Sequence, residues 1–272
     1  MSFEGKTIAF IGAGVMGSAI IGGLLKKKLV VPEQIIASDP NEQARQAIAS
    51  QYGIQVTDDN MEAAKQAQIM VLCVKPQFMG KVLPPFYGEV AHLEMVVSIA
   101  AGVTLKTIEE GLANMNVVRA MPNTPAQIGE GISVWTCAPE VGEDQRAQAQ
   151  QILEAMGQAI YVDDEKYLDM ATALSGSGPA YLFLFIEAWI DAGVKMGFSR
   201  AIAEALVKQT VSGSTAYLNH TGAHPTVLRN QVTSPGGTTA AGLYELERGG
   251  LRTAVADAVW AAYKRSQELG EG

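Results

Sequence analysis

The chain has 272 residues, 48% of them hydrophobic and 18% charged, a composition that is typical of a folded globular protein and argues against intrinsic disorder. Its net charge of −8 argues against nucleic-acid binding, because affinity for phosphate polymers comes from Lys and Arg side chains. A small molecule is therefore the expected ligand.

A short apolar run at 7–11 predicts a first strand, and a glycine-rich turn and an apolar helix at 16–25 follow it. In such a Gly-x-Gly-x-x-Gly turn the first glycine permits the tight bend, the second lets the backbone approach a pyrophosphate, and the third lets helix and strand pack closely. The unpaired amides of the helix start also attract anions. The alternative is a glycine-rich turn that binds nothing. We predict contacts with a dinucleotide from Ile11, Gly12, Ala13, Gly14, Val15, Met16 and Gly17.

The second predicted strand, 34–38, ends at Ser38 and is followed by Asp39, and the next helix is expected to start at Glu42. An acidic residue at this point bonds the ribose 2′-hydroxyl of NAD and repels the 2′-phosphate of NADP. Asp39 could instead face solvent or cap the helix, and Ser38 would then face the ribose and allow the phosphate. Both residues are predicted cofactor contacts, and the choice between NAD(H) and NADP(H) stays open.

Further apolar runs at 69–74, 95–99, 117–120 and 132–135 alternate with helical segments, which predicts a parallel, doubly wound sheet covered on both faces. In such a sheet the ligand crevice lies at the carboxyl ends of the strands. Lys75 could instead be a solvated surface residue, and the segment 119–125 could be a plain connection without a role in binding. We expect cofactor contacts from Val74, Lys75, Pro76, Ala100, Ala101 and Asn123.

After residue 164 the β-branched runs end and helical spacing dominates, with helices predicted at 180–195, 201–217 and 251–269. The sequence thus predicts an N-terminal Rossmann-like dinucleotide-binding domain at 1–164 and an all-helical domain at 165–272. The first of these helices is apolar on nearly every face, so it must be enclosed on all sides. A domain of this size achieves that most easily by pairing with another subunit, which predicts a homo-oligomer.

Two segments rich in Gly, Ser and Thr, 175–181 and 233–239, precede predicted helices of the second half. Each combines hydroxyl groups with free backbone amides, a combination that can hold a carboxylate without a basic side chain. The alternative is ordinary helix capping by Ser177 or Thr233.

The two cysteines, Cys73 and Cys137, have no His or Cys at metal-ligand spacing, so buried thiols are expected rather than a zinc site or a disulfide. The N-terminal residues lack a signal-peptide pattern, and the sequence contains no uninterrupted apolar run of membrane length. We therefore expect a cytoplasmic protein that binds no metal, membrane or nucleic acid.

Five motifs together resemble the pyrroline-5-carboxylate reductase family across the whole chain, and the last of them is the most specific in this order and spacing. They are Gly-Ala-Gly-Val-Met-Gly at 12–17, Val-Lys-Pro-Gln at 74–77, Met-Pro-Asn-Thr-Pro at 121–125, Ser-Gly-Ser-Gly-Pro-Ala-Tyr at 175–181 and Thr-Ser-Pro-Gly-Gly-Thr-Thr at 233–239.

The resemblance implies reduction of 1-pyrroline-5-carboxylate to proline with NADP(H) or NAD(H), a Rossmann domain, and a helical domain through which subunits interlock as dimers. A protonated cyclic imine already carries the charge that draws a hydride, so such an enzyme needs no strong acid and no metal, and positioning is its main task. The resemblance also implies that Thr239 is catalytic, with its hydroxyl near the ring nitrogen. It assigns substrate binding to Ser234, Gly236, Gly237, Thr238 and Thr239.

Two other functions compete with this hypothesis. A β-hydroxyacid dehydrogenase would need a catalytic lysine on a helix of the second domain, and the candidates, Lys195 and Lys208, lie in no matching motif. A nucleotide-sensing protein without catalysis would keep the first motif but would not need the intact segment 233–239, because fold alone does not determine activity.

Overall fold

A computed structural model describes residues 3–270, and eight strands of this part of the chain form one sheet. The strands are β1 (Ile8–Ile11), β2 (Ile35–Ser38), β3 (Gln55–Thr57), β4 (Ile69–Leu72), β5 (Met95–Ser98), β6 (Val117–Met121), β7 (Gly131–Cys137) and β8 (Gly157–Tyr161). Their order across the sheet is β3-β2-β1-β4-β5-β6-β7-β8. The order reverses direction at β1, and this switch point is where open α/β sheets bind their ligands.

Seven helices connect or follow these strands, and they cover both faces of the sheet. They are α1 (Val15–Lys26), α2 (Glu42–Tyr52), α3 (Asn60–Lys65), α4 (Pro76–Val82), α5 (Leu105–Leu112), α6 (Glu143–Glu154) and α7 (Lys166–Ala171). Alternate residues of β1 enter two separate cores: Ile8 and Phe10 pack with side chains of α1 and α6, whereas Ala9 and Ile11 pack with side chains of α3, α4 and α5. The predicted Rossmann-like, doubly wound sheet is confirmed.

The sheet differs from the prediction in three of its strands. β7 runs antiparallel to β6, whereas an all-parallel sheet was expected. The reason is the short connection 122–130, because parallel neighbours need a crossover of a dozen residues or more. The sequence analysis also missed β3 and β8: the first is three residues long and the second is largely exposed at the edge, so neither has a continuous apolar run.

The remaining helices are α8 (Gly178–Lys195), α9 (Arg200–Thr221), α10 (Pro225–Gln231), α11 (Thr238–Arg248) and α12 (Leu251–Gly270). A π-helical turn, Thr172–Gly176, lies between α7 and α8. The all-helical character predicted for the second half is confirmed. Helices α8 and α9 pack closely, since a Cβ atom on Gly193 would lie 3.0 Å from the Cβ atom of Ala203.

The chain divides into two compact units, residues 178–260 and a sheet unit made of 3–177 with 261–270. Helix α7 and the second half of α12 belong to the sheet unit: the Ser266 hydroxyl of α12 donates to Asp169 of α7 at 2.7 Å, and Asp169 lies 3.9 Å from the guanidinium of Arg119 on β6. The predicted boundary between a cofactor-binding domain at 1–164 and a helical domain at 165–272 differs from this division into compact units, and as a functional boundary it stays a prediction.

Candidate active site

A cleft of about 550 Å³ opens at the carboxyl ends of β1, β2 and β4. It contains eight of the residues predicted to bind a cofactor: Gly12, Gly14, Val15, Met16, Ser38, Asp39, Val74 and Lys75. Seven further lining residues were not predicted: Pro40, Asp58, Asn60, Cys73, Phe78, Lys81 and Val82. The cleft therefore joins segments that lie far apart in the sequence.

The glycine-rich turn between β1 and α1 has a backbone that side chains would obstruct. Gly12 has a φ of +104°, and a Cβ atom there would lie 3.0 Å from the carbonyl group of Cys73. A Cβ atom on Gly17 would lie within 2.4 Å of the Gly12 carbonyl oxygen. At Gly14, by contrast, no atom lies within 4 Å of the added carbon. The backbone at Gly14 is thus open to a ligand, as the motif predicts.

The start of α1 presents unpaired backbone amides to the cleft. The first amide to return to the turn is that of Ser18, which donates to the Gly14 carbonyl at 2.9 Å. The amides of Gly14, Val15 and Met16 donate to none of the residues that the structure describes. Amides at a helix start, with the helix macrodipole behind them, stabilise a phosphate group. A dinucleotide pyrophosphate therefore fits this turn without a basic side chain.

Asp39 lies against the glycine-rich turn. Its Oδ2 atom accepts a hydrogen bond from the Ala13 amide at 3.0 Å, and its Oδ1 atom accepts one from the Asn41 amide at 2.8 Å. Asn41 caps α2 through its side-chain oxygen. The alternative in which Asp39 caps this helix is therefore wrong. The carboxylate is fixed at the edge of the cleft, where a ribose is expected.

Ser38 is completely buried, and its hydroxyl donates to the Oδ1 atom of Asn60 at 2.7 Å. Asn60 is the first residue of α3 and lines the cleft. Neither Asn60 nor its neighbour Asp58 was predicted, because the three-residue strand β3 that places them carries too weak a signal. The hydroxyl of Ser38 is directed at Asn60, and a direct contact with a cofactor stays a prediction.

The charged side chains of the cleft are balanced, with Asp39 and Asp58 opposed by Lys75 and Lys81. Lys75 precedes α4 and is exposed. The Cys73 thiol lines the same cleft, and burial raises its pKa, so it contributes a neutral, apolar surface. The cleft combines an apolar interior with a few charged groups at its edge, which is common in sites for nucleotide cofactors.

Seven predicted cofactor residues do not line this cleft: Ile11, Ala13, Gly17, Pro76, Ala100, Ala101 and Asn123. Ala100 and Ala101 form the turn after β5, where the Ala100 amide donates to the Ser98 hydroxyl at 3.3 Å. Asn123 follows β6, and its side-chain oxygen accepts from the Ile132 amide at 3.0 Å. Five of them lie at or just after carboxyl ends of strands, and Gly17 and Pro76 lie in the first turns of α1 and α4. Their cofactor contacts stay predictions.

A second group of unpaired amides lies at the start of α11. Gly237 precedes this helix without a side-chain capping bond, and Gly236 turns the chain with a φ of +67°. The amides of Thr238, Thr239 and Ala240 donate to no residue within 3–270. Of the two segments that could hold a carboxylate, this one has free amides at a helix start.

Ordinary capping by Thr233 does not explain the segment 233–239. The Thr233 hydroxyl donates to the Arg229 carbonyl at 2.6 Å, at the end of α10. In the other segment the Ser175 hydroxyl donates to the Ala171 carbonyl at 2.9 Å. The capping alternative for Thr233 is therefore wrong. The hydroxyls of Ser234, Thr238 and Thr239 bond to no other part of the described chain.

Comparison with known proteins gives similarity over almost the full length. A family model for pyrroline-5-carboxylate reductase dimerisation matches residues 165–269, and one for a coenzyme F420-dependent NADP oxidoreductase matches residues 7–102. The chain is 44% identical to a pyrroline-5-carboxylate reductase of Synechocystis sp., over 97% of this chain and 98% of the relative. A reductase of Pseudomonas aeruginosa is 43% identical over 97% of both chains.

Two solved structures are also similar. A pyrroline-5-carboxylate reductase of Coxiella burnetii superposes with a TM-score of 0.89 at 36% identity, covering 97% of this chain and 98% of the other. The Plasmodium falciparum enzyme with NADP bound gives a TM-score of 0.89 at 33% identity, covering 98% and 99%. A reductive aminase of Aspergillus terreus, at 15% identity and a TM-score of 0.59, shares the fold alone.

Proposed function

Because the chain belongs to the pyrroline-5-carboxylate reductase family, we propose that it transfers a hydride from NADPH or NADH to the imine carbon of 1-pyrroline-5-carboxylate, giving L-proline in the last step of proline biosynthesis. One structural observation carries this proposal: two helices, α1 and α11, each begin with unpaired amides next to a glycine turn. The reaction requires the protein to bind two anionic groups, and each helix start can bind one of them: α1 the pyrophosphate of the cofactor and α11 the carboxylate of the substrate.

The nicotinamide dinucleotide supplies the hydride when it is bound. The chain holds its pyrophosphate with the amides of Gly14, Val15 and Met16, and Gly12 lets this turn pack closely against the backbone of Cys73. The predicted contacts at Ala100, Ala101 and Asn123 belong to the same proposal. Small side chains at 100 and 101 allow a flat ring to lie against the turn.

The substrate carboxylate is held by the amides of Thr238, Thr239 and Ala240, with Ser234, Gly236 and Gly237 shaping the turn before them. A Cβ atom on Gly237 would lie within 2.4 Å of the Ser234 hydroxyl, so the turn has no room for a side chain there. The Thr239 hydroxyl accepts a hydrogen bond from the protonated ring nitrogen and so orients the ring. Fixed donors of this kind stabilise charge without reorganisation.

Replacing Thr239 by Val tests this assignment, because the two side chains have the same shape and only the hydroxyl is lost. We expect kcat to fall by about 10-fold to 100-fold, which corresponds to a hydrogen bond to a charged group. The dissociation constant of NADPH should stay unchanged, and Thr239→Ser should recover most of the activity. The same kcat in Thr239→Val and the wild type would remove Thr239 from the mechanism.

Substrate variation tests the carboxylate site independently. The ring 1-pyrroline has the imine but no carboxylate, so it cannot use the amides at the start of α11. We expect its kcat/KM to be lower than that of the natural substrate by about 100-fold or more, as for other losses of a charge-assisted contact. Equal kcat/KM values would contradict carboxylate binding at this helix.

We also propose that the helical domain forms a homodimer in the cytoplasm. The segment 166–195 is long and apolar enough to cross a membrane, but it coincides with the region that matches a dimerisation model. Several large apolar side chains of α8 are exposed in the single chain, among them Leu182, Phe183 and Leu184. A partner subunit would cover them. Light scattering of the detergent-free protein should give at least twice the mass of one chain.

A further inference from the structure

The turn after β5 packs against the end of the last helix. Gly102 has a φ of +74°, and a Cβ atom there would lie 3.3 Å from the Cβ atom of Leu269. A Cβ atom on Gly270 would lie 3.2 Å from the Gly102 carbonyl oxygen. A side chain at either glycine would therefore crowd the other segment; Leu269 contributes its backbone and Cβ atom to this contact, and its side chain is otherwise 57% exposed. This turn also contains Ala100 and Ala101, which the proposed function places against the nicotinamide.

A buried side-chain bond fixes the same helix end one turn earlier. Ser266 is 2% exposed, and its hydroxyl donates to the Oδ1 atom of Asp169 on α7 at 2.7 Å. Ser266 precedes Leu269 and Gly270 by three and four residues, so all three lie on one face of α12. That face is therefore attached at two points, to α7 and to the turn after β5.

A buried arginine links these two points of attachment. Arg119, with a side chain that is 4% exposed, donates from Nη1 to the Oε1 atom of Glu165 at 2.7 Å, and its Nη2 atom lies 3.9 Å from Asp169. The same Glu165 oxygen accepts the amide of Leu105, the first residue of α5, at 2.7 Å. One network of hydrogen bonds and ion pairs therefore connects β6, α7, the end of α12 and the start of α5, which follows the turn after β5.

We propose that Ser266 and Leu269 are positioning residues for the reaction: the end of α12 holds the turn 100–102 in the conformation that binds the nicotinamide. This inference rests on the proposed function, which places the nicotinamide at Ala100 and Ala101. Neither residue touches the cofactor in this proposal. They act through Asp169 and Gly102, and their loss leaves the pyrophosphate turn intact.

The experiment compares Ser266→Ala and a chain that ends at residue 268 with the wild type. Gln267→Ala is the matched control, because Gln267 is exposed and its side-chain amide donates to the Tyr263 hydroxyl of the same helix. Dissociation constants are measured for NADPH by its fluorescence and for 2′,5′-ADP, which lacks the nicotinamide half, by calorimetry. We expect NADPH to bind about fivefold more weakly in both test variants, a typical size for an indirect effect. The affinity for 2′,5′-ADP and the behaviour of Gln267→Ala should not change.

Two results would overturn the inference: unchanged NADPH affinity in both test variants, or a parallel loss of affinity for NADPH and 2′,5′-ADP. Ala101→Val separates this failure from failure of the proposed function, because it places two methyl groups where the nicotinamide is expected. If Ala101→Val weakens NADPH binding and the α12 variants do not, the inference alone is wrong. If Ala101→Val has no effect either, the cofactor assignment at the turn is wrong and the inference falls with it.

Discussion

Alanine substitutions at Gly12 and Gly14 are expected to separate folding from dinucleotide binding. At Gly12 the φ of +104° and backbone atoms of Cys73 at 3.0 Å leave no room for a side chain, so we expect a loss of about 3 kcal/mol and a melting temperature lower by about 6–12 °C. At Gly14 the φ is −71° and no atom lies within 4 Å. Alanine at 14 is a weaker N-cap than glycine, which lowers the free energy of unfolding, but it also restricts the unfolded chain, which raises it; each effect is about 1 kcal/mol or less. The melting temperature should therefore hardly change.

The binding effects should show a different pattern. The Gly14 methyl group would occupy the space through which a pyrophosphate approaches the backbone, so we expect at least about a tenfold weaker affinity, or ~1.4 kcal/mol. Melting curves with and without NADPH measure both effects, since a ligand at a hundred times its dissociation constant stabilises by about 2.7 kcal/mol. Gly80→Ala on α4, where nothing lies within 4 Å, is the control that should keep both properties. The reasoning is refuted if Gly14→Ala unfolds as early as Gly12→Ala or binds NADPH as the wild type does.

Replacing Asp39 by Asn keeps an acceptor for the Ala13 amide but removes the negative charge at the edge of the cleft where the ribose is expected. Because about 1 kcal/mol of repulsion against a 2′-phosphate is lost, the ratio of the NADPH affinity to the NADH affinity should rise about fivefold to tenfold. An unchanged ratio would mean that Asp39 does not face the 2′-position. Burial raises the pKa of both thiols, Cys73 and Cys137, and at Cys137 the charge of Arg146 offsets only part of that rise. A raised folded-state pKa means that this contribution to stability is complete below the ordinary thiol pKa of about 8.5 and is lost as the pH rises through the folded values. Both cysteines are half-buried, so the expectation of fully buried thiols is wrong. Reaction with a disulfide reagent at pH 8 should still be slow because of the raised pKa values, speed up with pH, and become fast in denaturant; fast reaction of the native protein at pH 8 would contradict the raised pKa values.

Most of the strands that the sequence predicted have side chains buried on both faces, and β7, which is half-buried on one face, is the exception. β1, β4 and β5 are fully buried, and a continuous apolar run predicts such a strand directly. β8 is largely exposed at the edge of the sheet and mixes polar with apolar residues. Its position depends on pairing with β7, a contact between distant segments that local periodicity does not contain.

The candidate site shows the same division between local and long-range information. The glycine-rich turn was predictable because its motif encodes its own geometry, from a strand end to a helix start. The placement of the Asp39 side chain was not, since two Asx residues precede α2 and either could cap it. The Asn41 side chain caps α2, and Asp39 instead accepts a hydrogen bond from the Ala13 amide, 26 residues away. Asp58 and Lys81 line the cleft through tertiary packing alone and belong to no motif.

The proposed use of backbone amides at α1 and α11 explains how a chain with a net charge of −8 would bind the two anionic groups of the reaction. Basic side chains attract anions over long distances and in many orientations, whereas amides at a helix start act only within the first turn and along fixed directions. Affinity at the two proposed sites then depends on close backbone approach; Gly14 leaves the space in front of its backbone open, whereas Gly237 lets the turn before α11 pack against Ser234. A site of this kind selects an anion by shape and position. That matches a hydride transfer to an imine that is already charged, where orientation rather than acid catalysis limits the rate.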